Sequence, residues 1–343
     1  MLPEVKSGTG NSSSQKSIAK SLTKYSRLIG LLLLAFLLLK IDLRATFATL
    51  LSVNVWPLVV AIVANVPQLG LKALRWRFLL SLQGVSYRPL RAMLAYFSSV
   101  YMGLFTPGRV GEFDKAVYLQ QDTALSLGEA MSSVFVDRLF DLYALIAAGC
   151  YGLLVFASLV EFPVWGILLV LVGLIASILI VYQPFGHRVS RMILRLPLLK
   201  RSFPSLLEQV DSFYAKLKLL FQPKLLVAIA ITLVAHLIFY IQCYLIVLAL
   251  GLPLQFRFIL FAMALVNLVN LLPVSISGLG TREAILSLLF AEVQLPSEMA
   301  VAYAALVIVV FYVAAGLLGA AAWSAAPLRF TGKVREISGD GSD

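Results

Sequence analysis

The chain alternates long apolar runs with short polar connections. The apolar runs fall near residues 28–39, 53–71, 93–105, 139–160, 164–182, 225–250, 258–272, 285–290 and 300–323. A helix that crosses a bilayer needs about 20 apolar residues; several of these runs are long enough and three are too short. The pattern predicts an all-α polytopic membrane protein. The run at 28–39 follows Lys20, Lys24 and Arg27 and precedes Lys40, Asp42 and Arg44. Charges stand where a signal-peptide cleavage site would need small residues, so this run reads as a retained first transmembrane helix.

Lysine and arginine are held on the cytoplasmic side of a membrane. The N-terminus, the Lys72 to Arg91 connection, the His187 to Lys224 connection and the tail with Arg329, Lys333 and Arg335 carry most of the positive charge. These four are expected in the cytoplasm, with both termini, and the connections at 40–44, 161–163 and 251–257 outside. Two apolar runs separate Arg91, inside, from Glu161, outside, which leaves one crossing and one excursion that returns to its own side. The short run that ends in Thr106-Pro107-Gly108 is the re-entrant one. By the same count, the run at 258–272, the turn LLPVSISGLGTREA and the run at 285–290 form a second re-entrant hairpin from the opposite face.

About six spanning helices and two re-entrant hairpins thus form an inverted repeat, a pattern of transporters whose broken helices meet near the bilayer midplane. The two repeats cover about 21–160 and 164–326 within one membrane domain at 21–326. A disordered N-terminus at 1–20 and a tail at 327–343 flank it. Leu206, Val210, Phe213 and Leu217 recur at helical spacing within the 187–224 loop, as in an amphipathic helix lying on the membrane surface.

Composition narrows the picture. Of 343 residues, 60% are hydrophobic and 13% charged, the net charge is +11 and the mean hydropathy is +0.93. The positive charge sits in short loops rather than on a basic face or tail, so it signals topology and lipid headgroups and not nucleic acid. Cys150 and Cys243 lie inside apolar runs and read as buried hydrophobes. Neither His187 nor His236 has a second histidine at metal-ligand spacing. No Walker motif or strand-bounded GxGxxG is present, and the sequence implies no cofactor. Trp56, Trp76, Trp165 and Trp323 fit an interfacial aromatic belt.

Three polar clusters interrupt the oil: TPGRVGEFDK (106–115), VDRLFDL (136–142) and SISGLGTREA (275–284). A charge in hydrocarbon costs at least about 2.5–3.5 kcal/mol, so such groups pair or line a wet cavity. Pro107 and Gly108 break the first helix, which restarts around Val110 to Leu119 past Gly111, and put Arg109 at its start, where free N–H groups favour an anion such as phosphate. Gly278 and Gly280 permit the second turn, and Arg282 and Glu283 open the following half-helix. Asp137 and Asp141 share one helical face beside Arg138. They are placed to neutralise Arg109 or Arg282 or to relay protons, and Glu112 and Glu283 are the other candidate partners. Arg138 with either aspartate reads equally as an ion pair that pins helices. Asp114 and Lys115 read as an interfacial pair. Ser98, Ser99, Asn267 and Asn270 precede the two turns and serve either helix contacts or a substrate.

In this order and at these spacings, GRVGEFDKA, VDRLFDL and SGLGTREA resemble the lysylphosphatidylglycerol synthase transmembrane-region family, a flippase-like group. Its motifs are G-R-x-G-E, E-R-L-x-D and G-G-x-G-x-R-E. Gly108, Arg109, Gly111, Glu112, Arg138, Leu139, Asp141, Gly278, Gly280, Arg282 and Glu283 match, while Asp137 replaces a glutamate and Ser277 a glycine. The family resembles the flippase half of multiple peptide resistance factors, and the sequence lacks the cytosolic domain that attaches amino acids there.

The resemblance implies a non-enzymatic flippase in the cell membrane that moves a phospholipid or lipid-linked anionic headgroup. Arg109, Arg138 and Arg282 would meet the headgroup, with Glu112, Asp137, Asp141, Glu283 and Asn270 around them. Membrane lipids are the expected partners. The alternatives are a membrane-embedded transferase acting on a lipid or polyprenyl phosphate, and an accessory subunit of a glycosyltransferase or other lipid-modifying enzyme.

Overall fold

A computed structural model of the chain describes residues 43–104, 106–155, 171–172, 174–175, 177–178, 183–194, 205–270 and 278–327. The segments read as N-terminus, first transmembrane helix and tail lie outside these residues, except for Pro327. Most of the run at 164–182, Trp165, and 271–277 with Ser277 lie outside as well.

Every regular element among the described residues is helical. The first are α1 (Leu43–Leu51), α2 (Val55–Val63), α3 (Asn65–Leu82), α4 (Pro89–Leu104), a 3-10 segment (Pro107–Asp114) and α5 (Lys115–Asp122). Next come α6 (Leu127–Val155), α7 (Gln183–Leu194), α8 (Leu206–Leu220), α9 (Leu225–Leu250) and α10 (Phe256–Val269). Last are α11 (Thr281–Glu292), α12 (Ser297–Ile308), a π segment (Val309–Ala314) and α13 (Ala315–Ala325).

Three helices here are long and apolar enough to cross a membrane: Val55–Leu82, Leu225–Leu250 and Ser297–Ala325. Their surfaces suit lipid. On α9, Leu226, Leu233, Leu237, Ile241 and Leu248 are all exposed, the inverse of a soluble helix.

Local chemistry sets the ends. Asn54 caps α2 by accepting from the Trp56 N–H at 3.1 Å, satisfying one of the orphan donors of a first turn. Gly251 closes α9 at φ +63, a left-handed conformation in which Cβ would be strained. Proline opens α4 where its missing N–H costs nothing, and α4 ends just ahead of Thr106-Pro107, because a residue before proline is driven out of helical geometry.

Packing is reciprocal between the two halves of the chain. Each helix that leads into a short arm packs on that arm: α3 on α4, and α9 on α10. A later helix of each half lies against the arm of the other half, α6 on α10 and α13 on α4. Two large apolar cores result, with a smaller third under α8. One is built on α9, α10, α11 and α12, the other on α3, α4, α5 and α6 with residues of α13.

The structure corrects several expectations. Lys72, Arg75 and Arg77 lie on the continuing α3 helix, not in a loop, because Leu69, Ala73, Trp76 and Leu80 extend its buried stripe. Trp76 is buried, with its indole N–H donating to Ser133 Oγ at 3.2 Å, and so is no interfacial anchor. Helix α8 does not lie free on a membrane surface: Tyr214, Leu217 and Leu220 bury against α6 and the end of α3. Cys150 is exposed, whereas Cys243 is buried.

At the end of α5, Asp122 takes a forked contact from Arg91, 2.7 and 2.9 Å, and a hydrogen bond from the Tyr87 hydroxyl at 2.5 Å. Burial disfavours the charged carboxylate, but the Arg91 and Tyr87 hydrogen bonds outweigh it and hold the carboxyl below its usual range. Its stabilisation is therefore complete above the unfolded aspartate value of about 3.9 and is lost as pH falls through the lower folded value. Melting temperatures of wild type and Asp122→Asn measured across pH will converge below about pH 4, with the variant less stable at neutral pH. A constant offset down to the acid limit would refute this.

Candidate functional site

Between the two cores lies a cavity of about 530 Å³, within the size range of ligand sites. Its lining draws on both halves. Asn65, Gln68, Lys72, Tyr96, Arg109, Glu112, Arg138 and Asp141 come from the first, and His236, Asn267, Asn270 and Tyr312 from the second.

The deepest charges belong to α3, α5 and α6. Arg75, fully buried on α3, donates to Asp137 Oδ1 at 2.8 Å, Asp141 Oδ1 at 3.0 Å, Thr232 Oγ1 at 2.9 Å and the Asp137 carbonyl at 3.0 Å. Lys115, also fully buried, pairs with Asp137 Oδ2, and its ammonium lies 4.3 Å from the centroid of the Tyr96 ring. Lys72 reaches Asp141 at 3.2 Å. The two aspartates thus neutralise Arg75, Lys115 and Lys72, not Arg109 or Arg282. Their helix carries them at i and i+4, and α3 presents Lys72 and Arg75 at i and i+3, so both pairs face one seam.

Lys115 is therefore a core cation, not half of an interfacial pair. Both carboxylate oxygens of Asp114 are buried with no hydrogen-bond partner among the described residues.

Glu112 serves Arg138 first. Their contact is 2.5 Å, against 3.8 Å from Glu112 to Arg109, and Arg138 also donates to the Tyr96 hydroxyl at 3.2 Å. Gly103 makes room for this, because a Cβ there would stand 2.4 Å from Glu112 Cγ. Gly111 lets the 3-10 segment close on α4: a Cβ would meet the Met102 carbonyl oxygen at 2.4 Å, and the Gly111 N–H donates to Thr106 Oγ1 at 2.7 Å.

Arg109 is not the first residue of an α-helix. It follows Pro107 and Gly108 in the 3-10 segment, at φ +55, a strained region for a residue with a side chain. Its side chain is 49% exposed and its guanidinium carbon lies 5.7 Å from the Tyr312 ring centroid.

The second turn is built as the sequence implied. Gly278 and Gly280 have φ +77 and +82, and the Gly280 N–H donates to Glu283 Oε2 at 2.6 Å. A Cβ on Gly278 would stand 2.5 Å from the Asn270 amide nitrogen, while Asn270 Oδ1 accepts from Thr281 at 3.1 Å. Arg282 is 1% exposed, contacts Glu283 at 3.4 Å and lies 5.0 Å from the same Tyr312 ring.

Of the residues singled out in the sequence, Arg109, Glu112, Arg138, Asp141, Asn267 and Asn270 line the cavity; Asp137 lies behind Asp141, and Arg282 with Glu283 behind Tyr312. Ser98 and Ser99 are buried in α4 away from the lining.

Sequence reasoning missed Lys72, Arg75, Tyr96 and Tyr312. The first two carried a signal, a cation pair at helical spacing inside an otherwise apolar stripe; the tyrosines carried none. Counted together, Lys72, Arg75, Arg109, Lys115, Arg138 and Arg282 face Glu112, Asp137, Asp141 and Glu283. Two positive charges are in excess, or one when Asp114 is included. An anion fits that balance.

A family profile described as the lysylphosphatidylglycerol synthase TM region matches residues 25–319. A UPF0104 membrane protein of Methanothermobacter thermautotrophicus is 25% identical over 260 residues, covering 70% of this chain and 75% of that protein. No solved structure matches.

Proposed function

Because this chain belongs to the lysylphosphatidylglycerol synthase transmembrane-region family, we propose that it is a lipid flippase that carries an anionic headgroup through the cavity between its two cores. The observation that carries this reading is Arg109, a half-exposed guanidinium on the cavity wall whose nearest carboxylate is committed to Arg138. Such a cation is complementary to a headgroup phosphate, with which guanidinium forms forked, charge-assisted hydrogen bonds.

Six spanning helices with two re-entrant hairpins in an inverted repeat are part of the same proposal. The reciprocal packing of α6 on α10 and of α13 on α4 supports it, as does the convergence of both turns on Tyr312. Inverted repeats that rock about a shared central site give alternating access. The burial of Asp137 favours transport over transfer chemistry: it does not line the cavity, its two oxygens are held by Arg75 and Lys115, and a general base must reach the proton it takes.

The test is translocation of fluorescent phosphatidylglycerol in reconstituted vesicles, read by quenching of the outer leaflet. Wild type moves the lipid, and Arg109→Gln slows it by about tenfold or more, the loss of a hydrogen bond to a charged group. Arg109→Lys retains part of the rate. An Arg109→Gln rate equal to wild type would sink the reading.

A further inference from the structure

Tyr312 stands between the cavity and Arg282. It lines the cavity and Arg282 does not, yet guanidiniums from both turns approach its ring, Arg109 at 5.7 Å and Arg282 at 5.0 Å. Arg282 is almost wholly buried and its Nη2 has no hydrogen-bond partner among the described residues. Among the described residues its carboxylate contact is with Glu283 and engages Nε. The ring belongs to the π segment Val309–Ala314, a local irregularity in a 29-residue helix; such insertions are frequent at functional sites. Asn65 braces that segment by donating to the Val310 carbonyl at 3.0 Å.

We propose that Tyr312 gates a lipid-phosphate clamp: its ring holds the place between Arg109 and Arg282 that a lipid-borne phosphate takes when it enters the cavity. This rests on the flippase reading and adds to it the group that is recognised and the residue that must yield. Tyr312 offers the two guanidiniums a neutral hydroxyl acceptor and the partial negative charge of its ring quadrupole. A phosphate with at least two free oxygens offers full charge and a forked acceptor to each, so it displaces the ring. With the phosphate gone, the ring returns and keeps two like charges compatible in a low-dielectric site.

Glycerophospholipids and polyprenyl monophosphates share this chemistry, and binding separates them. Fluorescent phosphatidylglycerol and a short-chain polyprenyl monophosphate are titrated onto the purified full chain, with diacylglycerol as the phosphate-free control. Removing a competing side chain tightens binding, so Tyr312→Leu should bind the cognate phosphate lipid about fivefold more tightly than wild type, while Tyr312→Phe, which keeps the ring and loses only the hydroxyl contacts to the two guanidiniums, gains less. The lipid that shows the gain is the cognate one, and the gain disappears in Tyr312→Leu/Arg282→Gln.

A purely structural tyrosine would instead give weaker binding on removal, so equal or weaker binding of both lipids by Tyr312→Leu overturns the gate. Tyr312→Met makes the same test if the leucine variant does not fold. Arg109→Gln separates the two levels. If it binds both lipids as wild type does, the phosphate reading of the cavity falls and the gate with it; if it binds weakly while Tyr312→Leu shows no gain, only the gate falls.

Discussion

Replacing Asp137 with alanine will destabilise the protein by about 3–5 kcal/mol, the cost of breaking a buried ion pair from one side. Asp137 is fully buried and answers two fully buried cations, Arg75 and Lys115. Without it, Asp141 still holds Arg75 at 3.0 Å, but Lys115 loses its ion pair and is left against the rings of Tyr96 and Trp76. An uncompensated ammonium among helices pays the full desolvation penalty, and the quadrupoles of two rings recover only part of it.

Asp137→Asn retains the shape and an acceptor for Arg75 while losing the charge, and should fall between alanine and wild type. Adding Lys115→Met to Asp137→Ala removes the stranded cation and should recover part of the loss, a coupling that a double-mutant cycle isolates. Thermal unfolding in one detergent measures all five proteins, Lys115→Met alone included. Wild-type stability in Asp137→Ala, or additive effects in the pair, would show that the charges are not coupled as the geometry has it.

Gly319→Val should cost about 1–3 kcal/mol, the range for overpacking, and should also impair transport. Helix α13 lies so close to α4 that a Cβ at 319 would meet the Phe97 carbonyl oxygen at 2.6 Å and Tyr101 Cβ at 2.8 Å. Neither is the free end of a flexible side chain, so the helices must separate. Gly316 continues the same seam, where a Cβ would stand 3.0 Å from Leu104 Cδ1, the close approach that small residues allow between membrane helices.

The seam matters beyond stability because α13 continues from the π segment that bears Tyr312, and α4 leads into the 3-10 segment that bears Arg109. Spreading them should move the arginine off the ring and lower lipid translocation in vesicles along with the melting temperature. A Gly319→Val protein with wild-type values for both would refute the close packing. Gly319→Ala, with a smaller side chain, should show a milder version of both losses.

The membrane class was legible in hydropathy alone, because solvent dictates the pattern: a helix in lipid must be apolar over its length whatever it packs against. The two glycine-bearing turns were equally legible, since proline and glycine act on the local backbone. The three charged clusters also announced a buried polar site, because charges in oil are too costly to be scattered.

Partner choice was not legible in the same way. Whether Asp137 answers Arg109 or Arg75 depends on how α3, α5 and α6 rotate against one another, and periodicity places residues on a face without saying which face meets which. Lys115 illustrates the difference. Its long stem and terminal position in the motif suit an interfacial residue, yet the docking of α5 on α6 buries it completely.

Tyr312 marks the far limit, an aromatic in an apolar run with nothing in its neighbours to set it apart. Only the meeting of two distant turns, 173 residues apart between Arg109 and Arg282, gives that ring its cations. The sequence by itself determined the solvent, the helices and the existence of a charged centre, because those follow from local chemistry. The tertiary structure decided which charges are spent on one another and which remain for a ligand, because that depends on long-range packing.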